Sequence, residues 1–188
     1  MDASEAREHL ELVEKIIAAS SSKLEAGGEY FVAWGLAGAV ADVIDTLVWR
    51  GRLDQAYMWL AGGALMAALA FTIIRGQSSR KYGGRMSLLQ REYLNMLRLA
   101  MALAFLTNLL GFRLFGFFGL MAIWNVFEAV VVLFIGMHGN RRALIGGLIL
   151  IASVACANFM PAYDGFILAA GVLFGYGGFG AADLLARE

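Results

Sequence analysis

Residues 115–137 read FGFFGLMAIWNVFEAVVVLFIGM and carry a single charge, Glu128. At about 1.5 Å of rise per residue, a helix over this run is roughly 35 Å long. That length crosses the roughly 30 Å hydrocarbon core of a bilayer. The run also lacks the alternation of a membrane-barrel strand, so it predicts a transmembrane helix. The same criterion selects five further segments, near 30–49, 56–74, 93–111, 143–160 and 165–185. The expected fold is an all-α membrane protein with about six transmembrane helices.

Composition agrees. Of 188 residues, 60% are hydrophobic and 16% charged, with mean hydropathy +0.69. Soluble domains are usually less than half apolar, and one small core could not hide this much apolar surface. The 23 glycines and single proline suit helices that approach closely in lipid. A formal net charge of +0 gives no basic surface for nucleic acid. Cys156 is the only cysteine, which excludes an intramolecular disulfide or a cysteine zinc cluster. His9 and His138 have no ligand spacing, so neither a metal site nor a cofactor is expected. Residues 1–27 are rich in Glu and lack the basic start and short apolar core of a cleavable signal.

Lys and Arg set the orientation. With the N-terminus inside, the inner segments hold Arg7, Lys15, Lys23, Arg75, Arg80, Lys81, Arg85, Arg91, Arg98, Arg141, Arg142 and Arg187. The outer segments hold Arg50, Arg52 and Arg113. An excess of cations on the cytoplasmic side therefore predicts a multi-pass protein of the cell (inner or plasma) membrane with both termini cytoplasmic. Tyr30, Trp34, Trp49, Tyr57 and Trp59 mark span ends with rings suited to the headgroup level.

The chain divides into an N-terminal unit, 1–27, and a transmembrane domain, 28–188. In the first, Ala3, Ala6, Leu10, Val13, Ile17, Ser20 and Leu24 repeat every three and four residues, the seam of an amphipathic helix. It can rest on the protein's own cytoplasmic loops, associate with a second copy, or lie on lipid. Ser20–Ser22 and Gly27-Gly28 supply a hinge into the first span. The longest connection, Gly76–Glu92, holds Arg80, Lys81, Arg85 and Arg91 and reads as a basic cytoplasmic loop, a topology signal that can also meet lipid headgroups or a soluble partner.

Ionisable groups inside spans carry the functional signal, since each costs roughly 2.5–3.5 kcal/mol at mid-membrane on insertion scales. Asp42 lies about 18 Å along the first span from its inner edge, Asp45 one turn further, and Glu128 in the fourth span. Gly35, Gly38, Asp42, Asp45 and Trp49 share one helical face, and small residues beside carboxylates describe a face turned to other helices or water. Two carboxyls one turn apart titrate as a coupled pair. Arg113 is a candidate partner for Asp45. Asn108, Asn158 and Tyr176 add polar atoms, and Asp183 falls near the inner end of the last span.

Residues 41–48, ADVIDTLV, align with 124–131, WNVFEAVV. Asp42 then matches Asn125 and Asp45 matches Glu128. Gly62-Gly63 matches Gly146-Gly147 one residue out of register. Three spans per unit would turn the second unit upside-down, the inverted-repeat plan of many transporters. The competing reading is two unrelated helices whose polar residues hold the bundle together.

In the sixth span, Gly171 and Gly175 form a GxxxG face that permits close helix approach or dimerisation. GYGG at 175–178 lacks the re-entrant setting of a potassium filter and the lysine of a phosphate loop. No GxSxG motif or paired nucleophile and base occurs, so no enzyme is expected.

The stretch SSSKLEAGGEYFVAWG at 20–35, between an amphipathic helix and the spans, resembles small uncharacterised six-span bacterial integral membrane proteins. That resemblance implies the layout and transfers no activity or site residues. Size and span count are also similar to the substrate-binding subunits of energy-coupling-factor vitamin transporters, from which the acidic N-terminal extension departs. The functional expectation is a small protein that binds or transports a small solute or cation at a polar intramembrane pocket of Asp42, Asp45, Asn125 and Glu128, with Asn108. The alternative is a sensor, scaffold or accessory subunit acting through its N-terminal helix and basic loop. The expected partners are the lipid bilayer, further copies of the chain in a homo-oligomer, and a cytoplasmic protein.

Overall fold

The computed structural model describes residues 27–81 and 88–186. The amphipathic helix expected over 1–27 lies outside the described residues, except for Gly27 at its end. The described residues are all-α, with six helices long and apolar enough to cross a membrane. The spans run Gly28–Trp49, Gln55–Gly76, Glu92–Gly111, Arg113–Met137, Arg141–Phe159 and Asp164–Leu185.

Glycine geometry shapes two of the turns. Gly27 adopts φ 60 and leads into the first span, as a hinge residue would. The third and fourth spans form one long helix, Leu88–Met137, broken at Gly116 with φ 65 and ψ −178. Only glycine holds that conformation at little cost. The break folds the fourth span back so that Tyr93 and Ala100 pack in one cluster with Ala129, Val132 and Ile135. Beyond the second span, helix continues to Lys81, and the next helix begins at Leu88. The connection expected over 76–92 is therefore helical at both ends. The backbone hydrogen bonds of a helix are satisfied in water as in lipid, so hydropathy marks where the membrane ends and not where the helix ends.

Spans one, four, five and six make the central bundle. Span two packs on span one, and span three packs on span four. Half of the sixth span is buried, 50%, against 11% of the second, which separates centre from flank. Tryptophan and threonine fasten the flanking second span, with Trp34 Nε1 donating to Thr72 Oγ1 at 2.9 Å.

Small residues let the central helices meet. A Cβ on Gly28 would lie 2.6 Å from the Gly180 carbonyl oxygen, and one on Gly180 would lie 2.7 Å from Phe31 Cβ. Gly35 meets Gly177 in the same way one and two turns on. Span one thus lies backbone to backbone on span six. Gly171 and Gly175 face Ser153, Gly146 and Leu150 of span five. That GxxxG face is used for packing inside the chain. Gly146 and Gly147 are enclosed, whereas Gly62 and Gly63 meet nothing within 4 Å, so the two matched glycine pairs have different surroundings.

The ends of the bundle are tied by polar groups. At one end, Arg50 Nη2 contacts Asp164 Oδ1 at 2.6 Å and the Pro161 carbonyl at 3.2 Å, and Nη1 donates to the Ala162 carbonyl. At the other, Arg75 Nε contacts Glu29 Oε1 at 2.7 Å. There too Asn140 caps the fifth span, accepting from the Arg142 and Ala143 amides, and donates through Nδ2 to Asp183 Oδ1 at 3.2 Å. Asp183 is buried at this joint. The first and last described residues lie at the same end of the bundle, as an even number of crossings requires.

Candidate functional site: buried carboxyls between spans one and four

The close contact of span one with span six decides where Asp42 points. Gly35 sits against Gly177, Gly38 against Val172, and fully buried Thr46 against Gly165. The face carrying Asp42 therefore turns inward. Thr46 Oγ1 donates to the Asp42 carbonyl at 2.6 Å, which satisfies the hydroxyl within its own helix. Glu128 projects from the most enclosed part of span four, between Asn125, Ala129 and Val132, all buried.

These placements turn the carboxyls of both helices toward the interior, although spans one and four are not packed directly against each other as spans one and six are. Glu128 lies within electrostatic reach of Asp42, and Asp42 of Asp45. Asp45 Oδ1 and Glu128 Oε2 are buried with no hydrogen-bond partner. Among the described residues no cation pairs with any of the three carboxyls. Arg113 is exposed and does not reach Asp45, and the arginine near that end, Arg50, is committed to Asp164. An orphaned buried polar atom is costly, and these two oxygens share that state with Arg50 Nε.

The other expected site residues are placed differently. Asn125 is buried, donates to the Met121 carbonyl at 3.2 Å and accepts from Ser153 Oγ at 3.3 Å. Ser153 also bonds the Leu150 carbonyl at 2.7 Å. Asn125 thus joins spans four and five beside Gly171, one turn from Glu128, and has no hydrogen bond to the carboxyls. Asn108 is half-buried in span three and Asn158 exposed in span five. Neither hydrogen-bonds to the carboxyl group. No three His, Cys, Asp or Glu side chains among the described residues are grouped to hold a metal ion. A shallow apolar groove between spans one and two, lined by Leu36, Val40, Ala64, Ala68 and Phe71, does not include the carboxyls.

Two tyrosines also lie in this interior. Tyr176 lies within electrostatic reach of Glu128 and of Tyr93, and its ring packs on Phe31 at 4.7 Å between centroids. Tyr176 belongs to a π-helical segment, Val172–Gly177, a wider turn often found at functional sites. Tyr93 is a single aromatic residue at the start of a span, indistinguishable in sequence from an interfacial anchor. It is instead buried in the main core cluster.

No protein family, curated protein or solved structure matches the chain. What stands is a small polytopic membrane protein whose described residues are all-α, with six spans, buried carboxyls and ion pairs joining its helices.

Proposed function

We propose that this protein binds and moves a small cation, or a small solute coupled to one, across the bilayer through the carboxyls of Asp42, Asp45 and Glu128. One observation carries the reading. Two carboxyl oxygens, Asp45 Oδ1 and Glu128 Oε2, are buried without a partner, and no cation pairs with either carboxyl among the described residues. A bundle that needed only packing would fill those positions with apolar residues at less cost. Ionisable groups inside membrane bundles mark ion and proton pathways by default. Spans one and four each carry such a carboxyl, as two inverted three-span units would.

The test uses purified protein in liposomes with a pH-sensitive or sodium-sensitive dye inside and a potassium–valinomycin potential across the membrane. The expected outcome is cation entry faster than in protein-free liposomes, lost in Asp42→Asn and in Glu128→Gln. Wild-type entry no faster than the leak, or unchanged entry in both variants, sinks the proposal.

The proposed orientation places both ends of the chain in the cytoplasm, supported by the distribution of Lys and Arg. On a Cys156→Ala background, Arg52→Cys is expected to react with an impermeant thiol reagent on intact cells, and Arg142→Cys only after permeabilisation. The reverse pattern would invert the assignment.

A further inference from the structure

The seam between spans one and two ends on a pair of opposite charges. The seam itself is an apolar groove of about 400 Å³ on the outside of the bundle. Ala37 and Ala68 are buried and make its floor, while Leu36, Val40 and Phe71 are exposed and make its rims. One helical turn beyond Phe71 stands Arg75, and Glu29 lies one turn before Ala33 of the groove wall. Arg75 Nε and Glu29 Oε1 are 2.7 Å apart, and both side chains reach solvent, 54% and 31% accessible. Between groove and ion pair, Tyr30 packs edge-on against Phe71, with 6.1 Å between ring centroids.

We propose that this seam binds one phospholipid with a zwitterionic, primary-ammonium headgroup, its acyl chain in the groove and its phosphate and ammonium on Arg75 and Glu29. The dimensions fit one leaflet. Eleven residues separate Glu29 from Val40 on span one, and eleven separate Ala64 from Arg75 on span two. At about 1.5 Å per residue each distance is roughly 16 Å. Half of a hydrocarbon core of roughly 30 Å is about the same. The groove therefore reaches from near the midplane to the headgroup level, where the ion pair stands. At roughly 30 Å³ per water-sized group, its volume takes about a dozen methylenes, the greater part of one chain.

Charge selects the head. A guanidinium fork suits a phosphate, but a purely anionic headgroup there also meets the Glu29 carboxylate. A headgroup carrying both signs complements both members of the pair. A primary ammonium donates N–H to a carboxylate, whereas a trimethylated one has no N–H to give. The chain alone confers little preference, since it leaves one apolar surrounding for another. Span two is 11% buried and packs on span one, so a lipid in this seam extends the contact that holds it. The inference is independent of the transport reading, because neither the groove nor the ion pair includes Asp42, Asp45 or Glu128.

The test adds phosphatidylethanolamine, phosphatidylcholine or phosphatidylglycerol with the same chains to the full chain in detergent. Bound lipids are counted by native mass spectrometry. One phosphatidylethanolamine is expected to bind about tenfold more tightly than either of the others, the scale of one charged hydrogen bond. Ala67 lines the groove and is exposed, so Ala67→Phe fills the space from outside and is expected to abolish that preference. Glu29→Gln leaves Arg75 as the charge at the groove's end and is expected to turn the preference toward phosphatidylglycerol. Equal retention of the three lipids by the wild-type chain overturns the proposal, as does tighter binding of phosphatidylglycerol. An unchanged preference in Ala67→Phe overturns the groove as its place. A wild-type dimer that retains no lipid and is dissociated by Ala67→Phe overturns it in favour of a second copy in the seam. Should Ala67→Phe fail to fold, Glu29→Gln decides, and an unaltered lipid order in that variant overturns the proposal.

Discussion

At the scale of single residues, what stands out is the difference between satisfied and unsatisfied polar atoms. Thr46, Thr72 and Ser153 each return their hydroxyl to a carbonyl three or four residues back, and Asn125 is held between Met121 and Ser153. The carboxyls of Asp45 and Glu128 keep a free oxygen. The satisfied group predicts a stability effect. A Cβ on Gly171 would lie 2.5 Å from Ser153 Cβ and 3.1 Å from Asn125 Oδ1. Gly171→Ala is expected to lower stability by about 1–3 kcal/mol through overpacking, read as a lower melting temperature in detergent. An unchanged melting temperature would contradict the contact between spans five and six. Asp42 and Glu128 were legible in the sequence because a charge in an apolar run is an exception that needs an explanation. Tyr93 and Ser153 were not, since tyrosine and serine are ordinary in membrane helices and only the neighbours reveal their use. Arg50 and Asp164 were hidden for another reason. Both stand at span ends, where charges are expected whether or not they meet.

At the scale of elements, length and hydropathy find the spans, because a bilayer imposes one thickness on all of them. They do not find where helices stop, as the continuation to Lys81 shows. Nor do they show the π-helical turn at Val172–Gly177, which depends on how glycines of spans one, five and six fit together. The break at Gly116 belongs to this scale. Any side chain there is strained by the positive φ of 65, although a Cβ would meet no neighbour within 4 Å. Gly116→Ala is expected to cost about 1–3 kcal/mol from backbone strain alone, again as a lower melting temperature. An equal or higher melting temperature would show that the third and fourth spans join through a different turn.

At the scale of the whole molecule, four helices enclose the polar centre and two flank them. The sequence repeat hinted at equivalence between spans two and five. The structure gives them different roles, because Gly146-Gly147 is packed and Gly62-Gly63 is open. Helix neighbours are a property of three-dimensional fit, and one chain's periodicity does not encode them. What the arrangement does is to turn carboxyls 86 positions apart in sequence, those of Asp42 and Glu128, into the interior, within reach of each other's charge. Residues that act as a unit are non-additive when removed. The most direct measurement is therefore cation entry into liposomes carrying Asp42→Asn, Glu128→Gln and the double variant side by side. The account expects each single change to abolish entry as completely as the two together. Wild-type entry in either single variant, or two partial losses that multiply in the double, would contradict it.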